Sequence, residues 1–177
     1  VDIDPHTFNI DVSKIETMIT EETVAIAAVH VFSNPCDVKA LEVLSKKYQI
    51  PILYDAAHAF GVRVGGKSIY SWGDISTASF HATKVFNTAE GGGVFCSTAE
   101  LYERAYSIRD FGFDRQRNIE RLGTNAKMSE IHAALGLVNL PLLKDAVQTR
   151  RTLTEIYRRT LTEHVQFQHY DPESYNY

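Results

Sequence analysis

The chain has 177 residues and a formal net charge of −4, with 44% hydrophobic and 23% charged residues, the balance of one ordinary globular domain able to build a core. No run of Lys and Arg has the density of a nucleic-acid or membrane-surface patch, and the longest apolar runs, such as Val24 to Phe32 broken by His30, are too short to span a bilayer. Cys36 and Cys96 stand far apart with no CxxC pair and no second cluster of metal ligands, so no disulfide framework and no metal site are expected, and a reducing cytoplasm is the expected location.

The opening Val1-Asp2-Ile3-Asp4-Pro5 reads as the end of a strand followed by a turn. It lacks an initial methionine, and the close on Tyr175-Asn176-Tyr177 carries no stop signal. A fragment is therefore expected, although a processed methionine also explains the first fact. Asp11 caps a predicted short amphipathic helix through Val12-Ser13-Lys14-Ile15-Glu16. Val24 to Val29 is a continuous apolar run, the pattern of a strand buried on both faces, and Ser33-Asn34-Pro35 is the turn after it. Val38, Leu41, Leu44 and Tyr48 recur at helical spacing before a second apolar run, Ile50 to Tyr54, that ends on Asp55. Strand, helix, strand predicts a parallel βαβ unit.

Short strands are predicted at Ser76 to Phe80 and Gly93 to Cys96, and a helix over residues 100–109. Asp110 to Gly123 holds two glycines and three arginines without a period and reads as a long loop. Helical spacing resumes at Ser129, and Pro141 opens a second helix reaching about Leu161. The aromatic tail from Phe167 to Tyr177 has no assignable pattern. The whole predicts an α/β fold with a mostly parallel sheet and helices on both faces.

In such sheets ligands sit at the carboxyl ends of the parallel strands. Three segments follow strands: Asp55-Ala56-Ala57-His58-Ala59-Phe60-Gly61, Ser79-Phe80-His81-Ala82-Thr83-Lys84, and Glu90-Gly91-Gly92-Gly93. With the opening DPHTFNID and the later GTNAKMSEIHAALGL, their order and spacing resemble the DegT/DnrJ/StrS family of nucleotide-sugar aminotransferases over the whole chain. The resemblance implies the large domain of the fold-type I pyridoxal-phosphate enzymes. It places residues 1–140 in the cofactor-binding large domain and residues 141–177 in a connecting helix and the start of a smaller domain.

It also implies roles. Lys84 would be the amine that bonds the aldehyde of pyridoxal 5'-phosphate and shuttles a proton, where a histidine would have pointed to the family's dehydratase branch. Asp55 would pair with the pyridine nitrogen. His58, where the family often has Gln, would contact the ring or its hydroxyl, and Ser79 would bind the phosphate. His81 resembles the branch that aminates carbon 4 of the sugar. Asn125 resembles a residue that crosses to a partner subunit's cofactor phosphate, implying a homodimer with shared active sites. Taken singly, each residue has a plain alternative: a solvated lysine, a strand-terminal cap, a core histidine, a strand serine, a helix-start asparagine.

Arg115, with Arg109, Arg117 and Arg121, could bind a substrate diphosphate, but Glu103, Asp110, Asp114 and Glu120 among them equally describe a solvated mixed-charge loop. The expected substrates are a nucleotide-linked 4-keto-6-deoxy sugar and, by resemblance, glutamate. The alternatives are a carbon-3 or cyclitol aminotransferase, a non-catalytic relative, and an unrelated nucleotide-binding protein; the last is disfavoured because GxGxxG does not occur. The phosphate cradle and the ring-stacking aromatic would lie outside these residues, so the segment alone is expected not to catalyse.

Overall fold

A computed structural model describes residues 1–177. Helix α1 (Val12–Ile15) starts where the sequence indicates, with the Asp11 carboxylate accepting the Ser13 N–H, but it tightens into a 3-10 turn over Glu16–Met18 after one turn. Strand β1 (Ile26–Val29) begins two residues later than the apolar run. Helix α2 (Val38–Tyr48) is capped by Asp37, whose side chain accepts the Ala40 N–H, and ends on Gln49 in a left-handed conformation. Its apolar spacing puts Val38, Leu41 and Leu44 inside.

Strand β2 (Ile52–Asp55) pairs parallel with β1, so residues 26–55 form the predicted βαβ unit. The chain next makes a small hairpin, β3 (Arg63–Val64) and β4 (Lys67–Ser68), around Gly65 and Gly66. Both glycines have positive φ, the requirement of the two-residue turn that matches strand twist. Strand β5 (Ile75–Ser79) joins β2 in parallel, and β6 (Gly92–Cys96) pairs antiparallel with β5, giving the sheet order β1-β2-β5-β6. The turn-rich loop of residues 80–91 contains no crossover helix, and a parallel partner needs such a crossover. At Gly92 a Cβ would meet the Ala78 carbonyl oxygen at 2.7 Å, so the close approach of these strands requires glycine.

The core is one cluster running from Ile15 to Ile69, with Tyr54, Leu41 and Ile69 fully enclosed. The expectation that β1 is buried on both faces does not hold within these residues. Ile26, Ala28, Ile52 and Tyr54 are buried, while Ala27, Val29, Leu53 and Asp55 alternate on an open face. That face is apolar along most of its length, a surface the 177 residues do not cover themselves.

Helix α3 (Ala99–Arg109) is capped by Thr98. The loop after it is folded rather than irregular: Phe113 bridges Ile119, Asp110 bridges Asn125, and Gly112 and Gly123 bring their backbones together. A Cβ on Gly112 would lie 1.8 Å from the Arg121 carbonyl oxygen, and one on Gly123 would lie 2.0 Å from the Gly112 nitrogen. Helix α4 (Glu130–Asn139), capped by Ser129, continues through a 3-10 turn over Leu140–Leu142, which contains Pro141, into α5 (Leu143–Leu161). The unassigned tail returns to the first half, where β7 (Ser174–Tyr175) pairs antiparallel with β3. No helix is long and apolar enough to cross a membrane.

Candidate active site

Val29, Asp55 and Thr77 stand in register at the carboxyl ends of three parallel strands. Asp55 faces the open side of the sheet, where one carboxylate oxygen accepts the Ala57 N–H at 2.9 Å and the other has no partner. Ser79 lies two residues beyond Thr77 and by alternation on the same face, its hydroxyl oxygen accepting the His81 N–H at 3.3 Å. Behind Asp55, on the opposite face, His30 is fully buried against the Tyr54 ring with centroids 4.6 Å apart. Its Nδ1 accepts the Cys36 N–H at 3.0 Å. Burial pulls its pKa down to about 4 against the opposing influence of Asp55, so the ring is neutral at physiological pH.

Beyond β1 the backbone passes through two successive left-handed residues, Phe32 (φ 54°) and Ser33 (φ 62°), each costing roughly 1 kcal/mol for a side chain of this kind. The surroundings fix the turn. The Asn9 amide donates to the Asn34 and Pro35 carbonyls at 3.1 and 3.0 Å and accepts the Val31 N–H at 2.9 Å. The turn holds the Phe32 ring outward, parallel to His58 within 4° and 6.0 Å away, and the His58 Nδ1 accepts the Phe32 N–H at 3.4 Å.

Lys84 follows β5 in a turn closed by its own N–H donating to the His81 carbonyl at 2.9 Å. It is half-buried, and its ammonium has no carboxylate or hydrogen-bond partner. It lines a cavity of about 310 Å³ with His58, Phe60, Thr83, Arg150 and Tyr177. The Tyr177 hydroxyl donates to the His58 carbonyl at 3.0 Å, and the Ser33 hydroxyl donates to the Tyr177 carbonyl at 2.6 Å. Burial pushes the Tyr177 phenol up to about 12. Phe32 and Tyr177 also wall a second cavity of about 490 Å³, which Arg151, Arg158, Phe167 and Tyr170 complete, so the two form one groove.

The structure thus joins Lys84 and His58 in one cavity and puts Asp55 and Ser79 together on the sheet face at the strand ends, outside that cavity. His81 is exposed, bonded to the Thr83 hydroxyl at 3.0 Å and 3.7 Å from the Glu90 carboxylate. Arg115 is not brought to Lys84. Glu103 takes its guanidinium through two bonds at 3.0 and 3.1 Å, the Tyr106 ring lies 3.6 Å beneath, and the Glu103 bond raises its pKa. Asn125 is exposed and accepts from Lys127 at 2.9 Å, apart from the cavity. No group of three His, Cys, Asp or Glu side chains is placed to hold a metal ion. Phe32, Ser33, Arg150 and Tyr177 carry no motif in the sequence. The only signal for any of them is position, since Phe32 and Ser33 follow a parallel strand as the three motif segments do.

The sequence profile of the DegT/DnrJ/EryC1/StrS aminotransferase family matches residues 1–176. The chain belongs to this family. It is 45% identical over 163 residues to a dTDP-4-amino-4,6-dideoxy-D-glucose transaminase of Shigella dysenteriae, covering 92% of this chain and 44% of that protein. It is 36% identical over 168 residues to a GDP-perosamine synthase of Escherichia coli O157:H7, covering 94% and 46%. The crystal structure of DesI in the presence of its TDP-sugar product superposes with a TM-score of 0.83 at 38% identity, covering 92% of this chain and 42% of that one. The chain therefore spans about half the length of the relatives it matches. The α/β fold is that of the pyridoxal-phosphate-dependent sugar aminotransferases.

Pyridoxal 5'-phosphate is the cofactor of this family, and the side chains free at the strand ends fit it. Lys84 offers an unpaired amine for the aldehyde, Asp55 a carboxylate oxygen for a pyridinium N–H, and Ser79 a hydroxyl whose proton is not used within the chain.

Proposed function

We propose that this chain is the cofactor-lysine part of a pyridoxal-phosphate-dependent aminotransferase that transfers an amino group from L-glutamate to carbon 4 of a 4-keto-6-deoxy sugar on thymidine diphosphate. The product would serve lipopolysaccharide O-antigen or antibiotic sugar synthesis in the cytoplasm. The observation that carries this is the unpaired Lys84 amine in a cavity lined also by Ala57 and His58, the residues just after Asp55, whose exposed carboxylate stands where β2 ends between two parallel strands. The Shigella dysenteriae transaminase of a 4-amino sugar, at 45% identity, supports the choice of carbon 4.

When bound, pyridoxal phosphate supplies the electron sink. Lys84 Nζ would anchor it and move a proton between the reacting carbons, in a cavity walled in part by Phe32, Phe60 and Tyr177. Asp55 would hold the ring nitrogen's proton, Ser79 would bind the phosphate, and His58 would orient the ring. Asn125, exposed and distant from its own cavity, would serve the site of a second copy in a homodimer. Residues 1–140 would form the cofactor-binding part and residues 141–177 the start of the second.

Borohydride reduction of the holoenzyme followed by peptide mapping tests the reading. The cofactor is expected on Lys84, and label on another lysine sinks the assignment. NMR of the product then reads the aminated carbon, and an amine at carbon 3 selects the alternative sugar class.

A further inference from the structure

The Lys84 cavity contains a second cation. Arg150, on the exposed side of α5, lines it, and no Asp or Glu is among the residues around it. The three arginines of the loop between α3 and α4 are neutralised where they stand: Arg115 by Glu103, Arg117 by Asp110 at 3.0 Å, and Arg121 by Glu120 at 3.0 Å. Arg150 has no such partner. Its one recorded contact is the Tyr177 ring, whose centroid is 6.0 Å from the guanidinium carbon. Tyr177 is itself tied down at both ends, by the His58 carbonyl and by the Ser33 hydroxyl. An aromatic ring held in this way gives the guanidinium a surface to lie on and leaves its donors free. Two unpaired cations in one partly enclosed cavity raise each other's energy until an anion enters.

We propose that Arg150 receives the carboxylate of the amino donor. This rests on the aminotransferase reading of the same site. An α-amino acid carries its carboxylate on the carbon that bears the reacting nitrogen, so a cation sharing Lys84's cavity is at the scale of that molecule. The diphosphate of a sugar nucleotide lies across the sugar ring from carbon 4, and the adjoining cavity beyond Phe32 and Tyr177, where Arg151 and Arg158 outnumber Glu155, has room for it. The planar fork of a guanidinium matches a carboxylate through two parallel bonds.

The two half-reactions of the holoenzyme separate the sources of the anion. In Arg150→Gln the glutamate concentration for half-maximal conversion to the amino form of the cofactor is expected to rise about 30-fold, the loss of a charge-assisted pair. Arg150→Lys should recover part of it. The half-saturating sugar nucleotide in the second half-reaction should stay within about twofold. A readout independent of turnover is the rate at which phenylglyoxal modifies Arg150, mapped by mass spectrometry: glutarate should slow it and thymidine diphosphate should not. An unchanged glutamate requirement in Arg150→Gln, or protection by thymidine diphosphate instead of glutarate, overturns the proposal. If the unmodified enzyme performs no half-reaction with glutamate, the aminotransferase reading fails on its own. Glutarate protection still reports whether Arg150 binds a carboxylate.

Discussion

The two halves of the molecule are built on different terms. Up to Ile69 the chain encloses its own core, with β1, β2 and α2 burying Ile26, Leu41, Ile52 and Tyr54 completely or nearly so. In the other half, α4 buries only Gly136 and α5 only Val147, while Ile131, Leu137, Val138 and Ile156 stand exposed on helices of good length. The first half derives its shape from packing, and the second derives its position from leaning on the first. The Lys84 cavity lies where they meet, because Arg150 comes from α5 and Tyr177 from the tail held by β7. The first half thus contributes the strand ends and the Lys84 turn, and the second half contributes part of the cavity wall.

The sharpest test of that contrast is a pair of identical truncations. Leu41→Ala, at 0% exposure, should cost about 4 kcal/mol in urea unfolding, since it removes a buried side chain and leaves a cavity. Leu137→Ala, at 74% exposure, should change stability by less than about 0.5 kcal/mol. Equal costs would mean that the helical half has a core of its own.

His30 gives a smaller effect of the same kind. Its folded pKa of about 4 lies below the ordinary histidine value, so the unfolded chain takes up a proton that the native one refuses as pH falls. Its contribution is present in full above about pH 6.5 and is lost progressively towards pH 4, roughly 2 kcal/mol of it by pH 5. Urea midpoints measured between pH 7.5 and pH 5 should fall, and His30→Gln should flatten that part of the slope. An undiminished slope in the variant would assign the loss to other groups.

The most local effect belongs to the second half. Gly123→Ala would drive a methyl group into the Gly112 backbone, opening the neck of the loop between α3 and α4. Global stability should fall by about 1 kcal/mol or less. Amide exchange of Thr124, whose N–H donates to the Ile108 carbonyl, should accelerate while that of Ile52 in the core half does not.

What the sequence disclosed follows the same division. The run Ile50 to Asp55 and the spacing of Val38, Leu41 and Leu44 announce a βαβ unit because burial writes a period into the chain. Lys84 and Asp55 draw attention in the sequence because the segments that hold them follow strands, and the structure has β2 end on Asp55 and β5 end five residues before Lys84. The left-handed pair Phe32 and Ser33 is silent, since neither side chain favours positive φ and only the distant Asn9 amide holds the turn. Arg150 is silent for another reason: on an exposed helix one arginine looks like the next, and only the fold shows which one lines the Lys84 cavity. The antiparallel partner of β5 could be foreseen only from the lack of a helix between residues 80 and 91.

Gly112 and Gly123 close the neck of their loop with backbone alone. The ten residues between them are shaped locally, with Asp114 accepting the N–H groups of Gln116 and Asn118 and Arg117 in a left-handed turn. The join itself uses no side chain beyond hydrogen, while Arg115 and Arg117 tie the enclosed stretch back to Glu103 and Asp110 outside it. Changes elsewhere in the stretch that keep the two glycines and these two arginines are therefore expected to leave the sheet and the Lys84 cavity as they are.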